Sequence, residues 1–334
     1  MAQRVTITDV ALAAGVSVAT VSKVVNSRDG VARETCSRVN AVIDELGYEG
    51  SLVARSLRSR RTLVIGILVA EFEPFSTEIL KGAAAALADS DYDVLAYTGG
   101  RRSGGSGWER RYLSRLSGTL IDGAVIVTPT VVDAESVVPV VAIDPHAGPL
   151  GLPTVDSDNF TGGLLATRHL IDLGHRRIGF LAGRSDLESS RLRESGYRTA
   201  LADAGIPIDE GLIRLGEYRR TSTHAPATEL LSLPDRPTAI FAANDLSAIG
   251  TLDVAQQLGI GVPDELSVVG FDDIPESAQA NPPLTTVRQA IQEMGASAIR
   301  LLLSLIDQGP VESRHIRLPV SLVRRSSTAP VHGV

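Results

Sequence analysis

The stretch from Val5 to Asn26, VTITDVALAAGVSVATVSKVVN, constrains this chain more than any other, because it reads as two short helices hinged at one glycine. Thr6, with Asp9 three residues on, is close to a capping box and marks a helix start. Val10, Leu12, Ala13 and Ala14 supply a small apolar face, and Gly15 falls where a helix must stop and turn through positive φ. Ser17 is a second cap, for a helix from Val18 to Val25 that sets Val21, Val24 and Val25 on one side. Its other side is short: Val18, Ala19, Ser22 and Lys23 point outward from the N-terminal half, where a recognition helix meets base edges in a major groove. The competing reading is a plain packing hairpin. Such a hairpin has no need of an outward face free of large apolar and acidic residues, whereas a surface meeting phosphates and bases does.

A chain of 334 residues exceeds one simple core and implies two or three domains. The net charge of −7 argues against nucleic acid only if it is spread evenly. Residues 1 to 61 carry nine Lys and Arg against six Asp and Glu, a net +3, which leaves 23 against 33, a net −10, for the remainder. A small basic head on a larger acidic body suits a DNA-binding regulator with a separate sensing domain. Apolar runs such as Leu63 to Ala70 fall far short of the roughly 20 residues of a spanning helix, so no membrane partner is expected. MAQRVTITDV lacks the apolar core of a signal peptide, which points to the cytoplasm. The single cysteine, Cys36, allows no disulfide framework and no cysteine metal site.

After a loop, Val39, Val42, Ile43 and Leu46 keep helical spacing up to Gly47, which gives a three-helix head. The run DVALAAGVSVATVSKVVN resembles the N-terminal signature of the lactose-repressor (LacI/GalR) family of bacterial transcription regulators. Later runs in the expected order resemble it too: GHRRIGFLAG, RLRESGYRTAL, FAANDLSAIG, LSVVGFDD, PPLTTV and LPVSLVRRSS. The resemblance implies a homodimer on a near-palindromic double-stranded operator, with Thr6, Ser17, Val18, Ala19, Thr20, Ser22, Lys23, Asn26 and Thr35 at the DNA. It also implies that YEGSLVARSLRSRR, residues 48–61, is a hinge helix that folds on the operator. Ala54, Arg55 and Leu57 would reach the minor groove, with Leu57 as the wedge that parts a base step. Two departures from the family pattern stand out: Ala32 where a capping Ser is usual, and Gly50-Ser51 where Pro-Asn is common.

From Leu63 short apolar strands alternate with helices, the mark of doubly wound parallel sheets. The fold class expected is α/β: a small all-α helix-turn-helix head plus a two-lobed, periplasmic-binding-protein-like body. The domains are then 1–47 for the head, 48–61 for the hinge and 62–334 for the effector-binding and dimerisation core. Within the core, the resemblance implies an N-lobe of about 62–158 and 288–319 and a C-lobe of about 159–287 and 320–330, with crossings near 156–160, 284–289 and 318–322.

In open parallel sheets, ligands bind beyond the carboxyl ends of the strands. Residues there form a coherent set: Phe75 and Ser76, Asp144, Asn244, Phe271 and Asp272, with Arg193 from a following helix. Carboxylates, an amide and a guanidinium match vicinal hydroxyls or a purine edge, and Phe75 or Trp108 offers a face for a sugar ring. Each has a plainer role available: Asp144 and Asp272 as turn caps, Asn244 as cap of the helix at Leu246, Arg193 in a surface pair, Trp108 in packing. The effector expected is a sugar or oligosaccharide, with a purine or sugar phosphate as the alternative. No cofactor, metal site or catalytic set is expected: there is no phosphate loop, no G-x-G-x-x-G joining the first strand to a helix and no H-E-x-x-H. A sugar-binding transport protein shares the body's architecture, but the head speaks against it.

Overall fold

The computed structural model describes residues 5–25, 29–48, 61–99, 107–117, 120–130, 136–149, 151–311 and 313–331. The chain divides into two compact units, residues 1–62 and 63–334.

In the first unit, α1 (Ile7–Ala14) begins at a reciprocal capping box: the Thr6 hydroxyl accepts from the Asp9 N–H, and the Asp9 carboxylate accepts from the Thr6 N–H at 2.8 Å. It ends at Gly15 with φ +65°, a left-handed turn that a side chain would strain. The Ser17 hydroxyl accepts from the Thr20 N–H at 3.1 Å and starts α2 (Val18–Val25), which meets α1 at 105°, within the range of helix-turn-helix pairs. The third helix, α3 (Arg33–Leu46), has Ala32 at its N-cap with no side-chain bond, so the departure from Ser leaves that helix end without its usual acceptor. The small core is Val10, Ala11, Ala14, Val21 and Val39. Leu12 and Ala13 do not join it, contrary to the expected apolar face: Leu12 is 85 % exposed, Ala13 is exposed too, and Ala11 is buried in their stead. The core-facing stripe of α1 runs through positions 7, 10, 11 and 14, and Leu12 lies off it.

The second unit holds two six-stranded sheets. In one, β1 (Val64–Val69), β2 (Asp93–Thr98), β3 (Gly123–Val127), β4 (Val140–Ile143), β5 (Thr154–Ser157) and β11 (His315–Leu318) lie in the order β11-β5-β4-β3-β1-β2, all parallel. In the other, β6 (Ile178–Ala182), β7 (Ile213–Leu215), β8 (Ala239–Ala242), β9 (Ser267–Asp272), β10 (Thr285–Gln289) and β12 (Val320–Val323) lie in the order β12-β10-β9-β8-β6-β7. Only β12, paired with β10, is antiparallel. We call these sheets and their helices the N-lobe and the C-lobe. The chain passes between them after β5, at Ala290 and at Pro319. β10 lies wholly in the C-lobe sheet, so the second passage follows Gln289.

Parallel strands are buried on both faces, and β1 shows why. Ile65, Ile67 and Val69 pack under α4 (Pro74–Ala86) and α11 (Ile291–Ile306), while Val64 and Leu68 face the opposite cluster with Trp108 and Leu116 of α5 (Trp108–Leu116). Each such side chain contributes roughly 1.5–3 kcal/mol of transfer free energy. In the C-lobe, α6 (Asn159–Asp172) and α7 (Glu188–Asp203) cross at two glycines. A Cβ on Gly163 would lie 2.2 Å from the Arg193 carbonyl, and one on Gly196 would lie 2.3 Å from the Phe160 carbonyl. That close approach brings Arg193 beside Asn159. The C-terminal segment is strapped to this lobe: His175 Nδ1 pairs with the Thr238 hydroxyl at 2.9 Å, while its Nε2 meets the Ser267 hydroxyl and the Ala329 carbonyl, each at 3.1 Å.

Candidate functional site

At the carboxyl ends of the strands, where the lobes face each other, lies a cavity of about 210 Å³. It is lined by Phe75, Ser76, Asp144, Arg193, Asn244 and Asp272 from the expected set, together with Glu71, Glu73, Thr128, His146, Arg184, Ser189, Glu217, Tyr218 and Arg219. An open depression of about 500 Å³ on the outside of the C-lobe is larger, but its Arg177 is already paired with Asp209 at 2.9 Å and Asp235 at 3.2 Å.

Arg193 organises the site. Its Nε donates to Asn159 Oδ1 at 2.8 Å and its Nη1 to the Ala243 carbonyl at 2.6 Å and to Asp272 Oδ1 at 3.3 Å. The Phe271 ring lies 3.7 Å beneath the guanidinium, and Nη2 makes no hydrogen bond among the described residues. Asp272 is braced from the other side by Gln289, whose amide donates to Oδ1 at 2.6 Å, so both of its protein bonds fall on one oxygen. Burial pushes the Asp272 carboxyl up to about 6, although Arg193 and Gln289 pull against it. Burial also raises Asp144 against the pull of Arg193, and raises Glu73. These carboxylates face a low-dielectric cavity in which only Arg193 is a fully buried cation.

Thr128, Asp144, Glu217, Tyr218, Asp272 and Asp273 all hold positive φ, six of the eight such non-glycine residues among those described. Positions of this kind cost on the order of 1–3 kcal/mol each and persist where the surroundings over-determine them. Across the cavity mouth, Glu71 of the N-lobe pairs with Arg219 of the C-lobe at 2.8 Å, and His146 Nδ1 lies 3.1 Å from Asp186 Oδ2.

Three expected contacts need correction. Phe271 is fully buried: neighbours in a strand point to opposite faces, so with Asp272 toward the cavity, Phe271 packs against α6 and supports Arg193 from below. Trp108 does not line the cavity. It is the apolar anchor of α5, packed over Gly99 on the N-lobe face opposite α4 and edge-on to Tyr112 at 6.0 Å. Asn244 lines the cavity but spends its amide on structure: Oδ1 caps α9 (Asp245–Leu258) at the Ser247 N–H, 2.9 Å, and Nδ2 donates to the Tyr218 carbonyl, 3.1 Å. Sequence reasoning missed Tyr218 and Arg219 because β7, at three residues, is too short to announce itself. Thr128 and Arg184 follow β3 and β6, and the strand-end rule would have found them had it been applied there.

In the head, Val18, Ala19 and Lys23 are exposed, Thr20, Ser22 and Thr35 half-buried. Thr6 and Ser17 are exposed, with hydroxyls engaged in their caps. Asn26, Ala54, Arg55 and Leu57 lie outside the described residues. An unforeseen tie joins the helices: Arg38 Nε donates to the Ala14 carbonyl at 3.2 Å, at the C-terminal end of α1.

A helix-turn-helix head and a two-lobed body with a polar cavity at its strand ends define the class of a ligand-responsive DNA-binding protein. Residues 6–51 match the bacterial regulatory proteins of the lacI family, and residues 167–328 match a periplasmic binding protein-like domain. The HTH-type transcriptional repressor PurR of Photobacterium profundum is 35 % identical over 333 residues, covering 96 % of this chain and 98 % of that one. Among solved structures, a complex of the transcriptional regulator CelR with cellobiose superposes with a TM-score of 0.72 at 35 % identity, covering 97 % of this chain and 100 % of that one. A lac repressor dimer bound to operator and the anti-inducer ONPF superposes with a TM-score of 0.85 at 29 % identity, covering 98 % and 100 %. The chain belongs to the lacI family of DNA-binding transcriptional repressors.

Proposed function

We propose that this repressor senses a neutral sugar or oligosaccharide held between the lobes, and that the sugar sets operator affinity. The observation that carries this reading is the bonding capacity converging on one cavity: Arg193 Nη2 and the second oxygen of Asp272, with Asp144, which Ser189 also hydrogen-bonds, and Phe75 beside them. Paired donors and acceptors suit vicinal hydroxyls, and an aromatic side chain suits the apolar side of a pyranose or furanose ring. The lining carries five carboxylates, Glu71, Glu73, Asp144, Glu217 and Asp272, against three guanidiniums, Arg184, Arg193 and Arg219. That balance disfavours a sugar phosphate. A purine is the second reading, supported by the similarity to PurR and by the Phe75 and Tyr218 rings.

The working form is a homodimer on a near-palindromic operator, with Val18, Ala19 and Lys23 reading the major groove and Leu57 wedging the minor groove. The ligand favours one lobe orientation, which decides whether the two hinges fold together on DNA, a coupling of about 1–3 kcal/mol. Thermal-shift screening against cellobiose, D-ribose, D-glucose and hypoxanthine tests the sensing half: a rise with a sugar supports it, and a rise with hypoxanthine alone overturns it. Gel-shift titration of Leu57→Ala tests the hinge. Operator binding drops sharply if the wedge acts and stays unchanged if it does not.

A further inference from the structure

The loop that leaves β9 gives three consecutive residues three different anchorages. Asp272 faces the cavity. The side chain of Asp273, 7 % exposed, is held within the C-lobe by Arg288 of β10 and by Arg325 of the C-terminal segment, each at 2.6 Å. Ile274 leaves the C-lobe: it is 2 % exposed and belongs to the N-lobe core with Ile65, Val69, Ile79, Val127 and Met294, where Leu246 from the start of α9 packs beside it. The Ile274 N–H is in turn held by the buried carboxylate of Asp245, at 2.9 Å to Oδ2, while Asp245 Oδ1 accepts from the Thr286 hydroxyl of β10 at 2.5 Å. Asp245 has no cation partner among the described residues, and it makes no contact with the cavity.

We infer that Asp245 and Asp273 are positioning residues that clamp the Asp272–Asp273–Ile274 turn into a rigid lever, so that a ligand engaging Asp272 is registered at Ile274 inside the opposite lobe. The transmission rests on the cavity being the effector site; the clamp itself does not. Asp272 and Asp273 hold φ of +117° and +59°, a backbone that side chains rarely adopt and that relaxes unless its neighbours hold it. Asp273 is pinned by two arginines and the Ile274 N–H by Asp245, so the turn cannot absorb a displacement of Asp272 locally. The displacement is delivered to a side chain embedded in the N-lobe core. Close-packed cores respond by switching between discrete arrangements rather than by yielding smoothly.

The test uses the full chain with Cys36→Ser and a donor–acceptor dye pair on Asp89→Cys and Asp264→Cys, exposed positions on the N-lobe and the C-lobe. Without any ligand, Asp273→Ala, Ile274→Ala and Asp245→Ala shift and broaden the interlobe energy-transfer distribution. Asp245→Asn, which keeps an oxygen for the Ile274 N–H, restores the native distribution. Should the alanine variants fail to fold, Ile274→Val and Asp273→Asn supply the same reading in milder form. A native distribution in variants whose melting temperature has fallen overturns the inference, because it reduces Asp245 and Asp273 to ordinary packing. Addition of cellobiose then separates the two readings: no response in the unmutated chain counts against cellobiose as effector, while the ligand-free comparison still decides the clamp. Where cellobiose binds the unmutated chain, the clamp variants still bind it, more weakly because the contacts made on closure are lost, and lose the change in energy transfer it produces. A retained change overturns the transmission.

Discussion

The two lobes share an architecture but bring differently prepared halves to the cavity. On the C-lobe side, every expected polar residue is braced before any ligand arrives: Arg193 by Asn159, the Ala243 carbonyl and Asp272, Asp272 by Gln289, and Asn244 by the Ser247 N–H and the Tyr218 carbonyl. On the N-lobe side, Asp144 sits on a left-handed backbone with burial working against its charge, and Phe75 is a half-buried ring at the start of α4. The C-lobe half is the more fully braced of the two. Pre-organisation lowers the ordering cost of binding, so in the proposed effector site the braced C-lobe half is expected to lose less on engaging a ligand than the N-lobe half.

The comparison breaks most visibly at Arg193. Arg193→Ala leaves Asp272 and Asp144 without their buried cation, and a loss of about 3 kcal/mol in urea unfolding is expected, together with loss of any sugar-induced thermal shift. On the opposite side, Asp144→Asn is expected to weaken sugar affinity about tenfold or more while leaving the urea midpoint nearly unchanged, and Phe75→Ala to weaken affinity with a smaller stability loss than Arg193→Ala because its ring packs only partly against the core. A large stability loss there would erase the distinction between the halves.

A titration sharpens it further. Burial lowers His169 to about 4 and lowers His175 as well, which favours the neutral imidazoles in the folded C-lobe. Imidazoles with depressed values stabilise the fold above their ordinary range, and that contribution disappears as the pH falls from about 6.5 toward 4. Asp272 runs the other way, its raised value favouring the fold at low pH. Urea unfolding followed from pH 7 to pH 4 should show a destabilising component from His169 that His169→Gln removes. The smallest effect lies outside both lobes: Ala32→Ser supplies the missing cap of α3 and stabilises the head by about 1 kcal/mol, with the body's transition unmoved.

How much of this was legible in the sequence depended on whether a residue's task is local. The head's caps, its glycine turn and its uncapped third helix are decided by neighbours three or four positions away, and the sequence pattern located them. Leu12 was misplaced because an apolar residue on a short helix does not declare its face. In the body, the apolar strands β1, β3, β4, β6, β8 and β9, and β2 beside them, were visible, whereas the more polar or partly exposed β5, β7, β10, β11 and β12 were not. Six of the eight expected residues line the cavity, five of them from the strand-end rule and Arg193 from the helix that follows β6. The expectation failed for Phe271, where strand alternation sends adjacent side chains apart, and for Trp108, where helix packing wins. The bracing of Asp272 by Gln289 joins residues from two strands and leaves no trace in local spacing.

The order in which the chain is made gives the strap of the C-terminal segment a further meaning. The head's three helices finish by Leu46, so the DNA-reading unit can fold as soon as it emerges. Neither sheet of the body can close until its last strand exists: β11 completes one at Leu318 and β12 the other at Val323. The straps at Ser327 and Ala329 come later still, with the Ser327 hydroxyl donating to the Val268 carbonyl at 2.6 Å and the Ala329 carbonyl meeting His175. A nascent chain therefore completes its three-helix head well before either sheet of its body can close.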